Sequence, residues 1–264
     1  RVAFAAAGPR AGKKPTGTVE LAIQTGPRSA LPTIELSFAL EPEGKTDADL
    51  RGPSEVVARA VSAKLAKTQP GALPPGLDAE VAKLKGGRLR WLVAPSGAGR
   101  LIAAELPASV EPSLGQVLGS AGDALSLVFT PYPTEPVGVG AYWMVTSRDR
   151  YAGLDVVAYR MVKVEASDAS GVTLSVNTRR FAAGGSFALP GIPPHRVEQF
   201  QGNTSARLLV NPAEPSSLRG EAQDVIGVGM VTTEAMPRPG APPAPAGEKI
   251  GLELRIRAAL AFKP

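Results

Sequence analysis

Leu252-Glu253-Leu254-Arg255-Ile256-Arg257-Ala258-Ala259-Leu260-Ala261-Phe262, close to the end of the 264-residue chain, is the stretch that decides the fold. Leu252, Leu254, Ile256, Ala258, Leu260 and Phe262 alternate with Glu253, Arg255, Arg257, Ala259 and Ala261. That period of two is the signature of a half-buried strand, because successive side chains of extended backbone point to opposite faces. At about 3.4 Å per residue the strand would reach roughly 37 Å, longer than most strands of compact domains and suited to a broad curved sheet or barrel wall.

The same alternation recurs upstream. Val19, Leu21 and Ile23 alternate with Glu20, Ala22 and Gln24, Gly26-Pro27 interrupts, and Ile34, Leu36, Phe38 and Leu40 alternate with Glu35, Ser37 and Ala39. Two strands joined by a loop are predicted. Leu89, Trp91 and Val93, the turn Pro95-Ser96-Gly97-Ala98-Gly99 and the returning segment Leu101 to Leu106 predict a hairpin. Beyond Pro131, the spans 141–146, 154–165, 172–180, 204–211 and 217–231 favour strand, and turn clusters at 167–171 and 189–194 imply sequential hairpins. The proline-rich stretch 237–247 reads as an exposed extended loop before the last strand.

Three segments carry helical spacing. Ser54 can cap a helix, Glu55 suits its first turn, and Val57, Val61 and Leu65 follow at four-residue steps, which predicts an amphipathic helix over 54–67. A short helix over Asp78 to Lys85 is stopped by Gly86-Gly87. From Ser113 to Phe129, Leu114, Val117, Leu118, Ala121, Leu125 and Val128 recur on one face. Gly115, Gly119 and Gly122 each cost that helix about 1 kcal/mol relative to alanine, so close packing against a sheet is expected to justify them.

Composition narrows the function classes. With 26 prolines and 29 glycines, about a fifth of the chain, many turns are required and long helices are disfavoured. The 44% apolar content suffices for a well-buried core. The net charge of +5 comes from interspersed charges of both signs, and only Arg179-Arg180-Phe181 and Arg148-Asp149-Arg150-Tyr151 hint at the basic and aromatic mixture of a nucleic-acid face. No nucleic-acid partner is expected. No apolar run reaches the roughly 20 residues of a spanning helix. The longest candidate, Val137 to Val145, contains Gly138 and Gly140.

Chemistry-bearing residues are few. The chain has one histidine, His195, and no cysteine, which removes disulfides and thiolate zinc sites. Thr46-Asp47-Ala48-Asp49 lacks the glycine and distal glutamate of a calcium loop, so no metal is expected. Ser186 after Gly184-Gly185, with His195, lacks the glycine two positions later that a nucleophile elbow needs. Gly138-Val139-Gly140 is followed by Trp143 where a dinucleotide loop needs its third glycine. Asn203-Thr204-Ser205 matches a glycosylation pattern common enough to arise by chance. A faint echo links Gly138-Val139-Gly140 and the strand after it to Gly227-Val228-Gly229-Met230-Val231-Thr232, a candidate for internal duplication. No cofactor and no catalytic residue is nominated, and the reading is non-enzymatic.

Phe129-Thr130-Pro131-Tyr132-Pro133-Thr134-Glu135-Pro136-Val137-Gly138-Val139-Gly140-Ala141-Tyr142-Trp143 is the most distinctive segment. Its prolines fix an extended approach, its glycines permit close backbone contact, and its aromatics supply a large apolar anchor. With the preceding helix, from Leu114 to Val145, it resembles an uncharacterised bacterial cell-envelope family, often lipoproteins, known as a domain of unknown function. The resemblance implies an exported protein of the periplasm or outer membrane and supplies no catalytic residues. The chain opens at Arg1, as a processed export signal would leave it, and a lipid-bearing cysteine would lie upstream.

The expected fold is a β-dominated α+β domain over 1–264: a large, strongly curved antiparallel sheet or incomplete β-barrel, with two or three helices from the first half packed on its open or concave side. The first half, 1–130, holds the helices, and the second half, 131–264, is strand-rich. By architectural analogy such a shape looks like the periplasmic half-barrels that carry lipids or lipoproteins. The expected ligand is a lipid or amphiphile, lined by Phe38, Trp91, Phe129, Tyr142, Trp143 and Phe262. The alternative is an accessory subunit of an envelope complex, holding protein partners through strand edges or proline-rich loops.

Overall fold

The computed structural model describes residues 3, 15–25, 29–30, 32–43, 54–66, 76–94, 96–108, 110, 114–126, 129–151, 154–182, 185–187, 195–212, 214–232 and 249–262. The first part of the chain forms β1 (Pro15–Thr25), β2 (Ser29–Ala30), β3 (Ile34–Glu43), β4 (Ser54–Leu65), α1 (Leu77–Ala82), β5 (Arg88–Val93), β6 (Gly99–Glu105) and α2 (Gly115–Ser126). The second forms β7 (Tyr142–Tyr151), β8 (Leu154–Asp168), β9 (Gly171–Ala182), β10 (Gly185–Phe187), β11 (His195–Asn211), β12 (Glu214–Thr232) and β13 (Lys249–Phe262). A β-dominated, curved antiparallel sheet with two helices is what the alternating pattern predicted. The predicted loop at 237–247 lies outside the described residues.

The main path of the sheet runs β6-β5-β4-β3-β1-β13-β12-β11-β9-β8-β7, with β2 on β1 and β10 on β11. Both ends of the chain meet in its middle: β13 pairs with β1 from Pro15 opposite Phe262 to Thr25 opposite Leu252. Two meandering wings extend from that seam of termini, one ending at β6 and the other at β7. Residues 106–141, including α2, link the two outer edges. On β1 the pleat buries Val19 and Leu21 and exposes Thr18 and Glu20, and on β13 it exposes Arg255 and Arg257.

One element differs from its prediction. Residues 54–65 are not helix but β4, bonded to β3 on one side and β5 on the other. A spacing of four is also a multiple of two, so Val57, Val61 and Leu65 suit a strand as well as a helix, and the strand carries a bulge: Ala60 pairs with Phe38 and Ser62 with Ser37, leaving Val61 without a partner position. The extra residue shifts the phase of alternation, so the buried positions pass from Ala58 and Ala60 to Leu65 and the period of two is masked. Pairing on both sides, helped by β-branched Val56 and Val57, decides the outcome over the local pattern.

The other two helices form as expected. α1 closes onto β4, where Ala60 N donates to Gly87 O and Gly86 N to Ala60 O, both at 2.8 Å. α2 lies against β1, β5, β6 and β13, and its Leu118, Ala121, Ala124 and Leu125 are buried. β6 and β13 are five steps apart in the sheet, about 24 Å if flat, whereas a helix is about 10 Å across. The sheet therefore folds around α2. The echo at Gly138 is no duplication: Gly138 and Gly140 lie before β7, with Gly140 at φ 86°, whereas Gly227 and Gly229 lie within β12.

Candidate ligand-binding interior

The segment from Phe129 to Ala141 crosses between the two wings. Phe129 stacks obliquely on Trp91 of β5, with ring centroids 5.8 Å apart, while its carbonyl accepts from Arg160 Nη1 of β8 at 2.6 Å. β5 and β8 are eight interstrand steps apart, nearly 40 Å on a flat sheet at about 4.8 Å per step. One residue bridges them, so the sheet curls until its wings are a side chain apart. Tyr132 N donates to Ser96 O at 2.6 Å in the β5–β6 turn, and Gly140 N donates to Val164 O on β8 at 2.9 Å. This stretch is the seam that ties the curl.

Glycines in the β5–β6 turn make the seam fit. Gly97 has φ 87°, and a Cβ there would stand 2.7 Å from Thr130 O and 2.6 Å from the Tyr132 ring. A Cβ on Gly99 would fall 2.5 Å from Phe129 Cγ. Burial of Tyr132 raises its phenol above the ordinary range.

The predicted lining aromatics separate on inspection. Phe38 and Trp91 are fully buried, and Trp91 Nε1 donates to Ser126 Oγ of α2 at 2.7 Å, with Ser126 Oγ donating to Gly122 O at 2.7 Å. Both belong to the packed core, with Trp91 directly against α2. Phe129 and Trp143 are partly buried against the core, and Trp143 Nε1 donates to Pro131 O at 2.9 Å. Tyr142 does not line the interior, since it is 72% exposed on the opposite face of β7. Neighbours on one strand cannot share a face. Phe262 pairs with Pro15 at the end of β13, and its side chain lies outside what is described.

The second wing presents an inner face that is mostly apolar: Val156, Val162 and Val164 on β8, Val172, Leu174 and Val176 on β9, Leu208 and Val210 on β11. Across it runs a polar band. Arg160 pairs with Thr178, and Thr178 with Thr204, on three adjacent strands. One step along, Ala158 pairs with Arg180 and Arg180 with Gly202. Thr178, Arg180 and Thr204 are buried. No sequence pattern marked this band, because strand register assembles it from distant positions.

Outside, charges compensate one another. A groove of about 570 Å³ includes Thr18, Glu20, Arg207, Glu221, Gln223 and Arg257 in its lining, with Glu20 paired to Arg257 and Arg207 to Glu221 in register. Arg90 bonds Glu55 and, at 3.1 Å, Glu105, and the first of these holds the Glu55 carboxyl below its ordinary value. Ser186 pairs with Arg196, and Phe187 with His195. The His195 and Ser186 side chains lie outside what is described. Among the described residues no cluster of three histidines or carboxylates could hold a metal, and no helix is long and apolar enough to cross a membrane.

No family model and no curated protein matches this chain. Among solved structures, lipovitellin, studied for its lipid–protein interactions, superposes with a TM-score of 0.50 at 9% identity. The match covers 97% of this chain and 25% of the lipovitellin chain, so this chain spans about a quarter of that neighbour's length. The likeness is one of fold. A DUF1329 family protein from Desulfovibrio piger aligns over 96% of this chain and 87% of its own, at 10% identity and a TM-score of 0.27.

Proposed function

We propose that this chain is a non-catalytic, exported protein of the bacterial cell envelope that holds a lipid or other amphiphile inside its curled sheet. The carrying observation is the curl itself: an apolar inner face spans both wings, with α2 lying against β1, β5, β6 and β13. A concave apolar wall with few polar groups suits an alkyl chain. The fold shared with lipovitellin, a protein named for its lipid interactions, is in keeping with this reading, as is the sequence resemblance to an envelope family. Extraction of the purified full chain followed by mass spectrometry tests it. A stoichiometric amphiphile is expected, whereas an empty protein that also fails to take up added amphiphile would contradict the reading.

A second reading has its own observation. β7 ends the sheet, and Tyr142, Met144, Tyr159, Met161 and Phe181 are exposed on the outer face of β7–β9. Met144 pairs with Met161, and Tyr159 meets Phe181 edge-on at 6.1 Å. An apolar outer face beside a sheet edge suits a protein partner in an envelope assembly. Tyr142→Ser with Met144→Ser would abolish co-purification of such a partner while leaving any bound amphiphile in place.

A further inference from the structure

We propose that the inner face of β8, β9 and β11 carries a receptor for one anionic head group, a carboxylate or a phosphate, built from Arg160, Thr178, Arg180 and Thr204 and completed by Thr130 from the seam. The inference rests on the amphiphile reading above and names the end of the ligand that this wall would recognise.

Two buried hydroxyls point to it. Thr178 is 2% exposed and Thr130 1% exposed, and neither Thr178 Oγ1 nor Thr130 Oγ1 has a hydrogen-bond partner. A buried hydroxyl left without a partner is costly, and native proteins keep few of them. Both are tied to Arg160 through the backbone. Thr178 is the cross-strand partner of Arg160, and Thr130 directly follows Phe129, whose carbonyl receives the Arg160 guanidinium. Hydroxyls beside guanidinium groups offer donors and positive charge together, a combination that an anionic oxygen satisfies better than water does.

The neighbouring positions are small. Gly202 lies opposite Arg180, and a Cβ there would stand 3.2 Å from Arg180 Cβ, so the glycine lets the arginine lie across β11. Ala158 and Ala206 are also small. Along β9, Val176 and Leu174 continue from Thr178 on the same face, which gives an alkyl chain an apolar track leading away from the polar band. Among the described residues Arg180 is the buried charged one.

Titration calorimetry of the full chain with dodecyl phosphate, monododecanoyl glycerol and inorganic phosphate tests the receptor. Dodecyl phosphate is expected to bind at least about tenfold more tightly than the neutral glycerol ester, and Arg180→Gln to erase that preference. Thr178→Val removes a hydroxyl that makes no bond in the free protein, so it is expected to weaken dodecyl phosphate about fivefold without lowering the melting temperature. Equal affinity for the charged and neutral amphiphiles, unchanged in both variants, would overturn the receptor and leave the amphiphile reading standing. Inorganic phosphate binding as tightly as dodecyl phosphate would keep the anion receptor and overturn the amphiphile reading. No binding of any of the three probes would overturn both.

Discussion

The two wings use the same alternating backbone for different ends. In the first, β5 and β1 bury Leu89, Trp91, Val19 and Leu21 under α2, and even the indole N–H is absorbed by Ser126 of that helix. In the second, the apolar wall of β8, β9 and β11 is crossed by Arg160, Thr178, Arg180 and Thr204. Within that band the Thr178 hydroxyl has no partner, and a buried polar group costs stability unless it is paired. The first wing is filled by the protein's own helix. The second carries the polar band proposed as a receptor.

Substitutions can break this comparison, beginning with the filled wing. Trp91→Ala removes the largest side chain beneath α2 and is expected to cost about 3–5 kcal/mol, measured by urea unfolding. If its cost were no more than that of a surface change, α2 would not be the plug described. Gly97→Ala should cost about 2–3 kcal/mol, because the turn needs positive φ and the new Cβ would meet Thr130 O. Since the seam touches both wings, hydrogen exchange should then rise in β5 and β8 together. Ser126→Ala leaves the Trp91 N–H without its acceptor, an expected loss of about 1–2 kcal/mol.

Smaller effects sharpen the picture. Tyr132 keeps its proton in the folded state above the ordinary phenol range, so the folded form binds more protons than the unfolded form once pH passes about 10. Stability should therefore fall as pH rises beyond that point, and Tyr132→Phe should flatten the decline in alkaline melting curves. Gly119→Ala has open space around the new methyl and should raise stability by about 0.5–1 kcal/mol through helix propensity alone.

How far the sequence carries depends on the range of each interaction. The strands of β1, β3, β8, β9 and β13 were legible because one buried face imposes a period of two on local sequence. β4 was misread because the bulge at Val61 breaks that period, and only pairing with β3 and β5 reveals it. Residues 129–143 stood out, yet their part as a seam depends on contacts with Trp91 and Arg160. Tyr142 and Trp143 cannot both line the interior, because the pleat sends them to opposite faces. The polar band was invisible: Arg160, Thr178 and Thr204 become neighbours only through strand register.

Hydrogen exchange of the full chain with and without dodecyl phosphate tests the division of labour between the wings most directly. The account predicts slowed exchange in β8, β9 and β11, with β4, β5 and α2 unchanged. Protection confined to the first wing, or spread evenly over both, would contradict it.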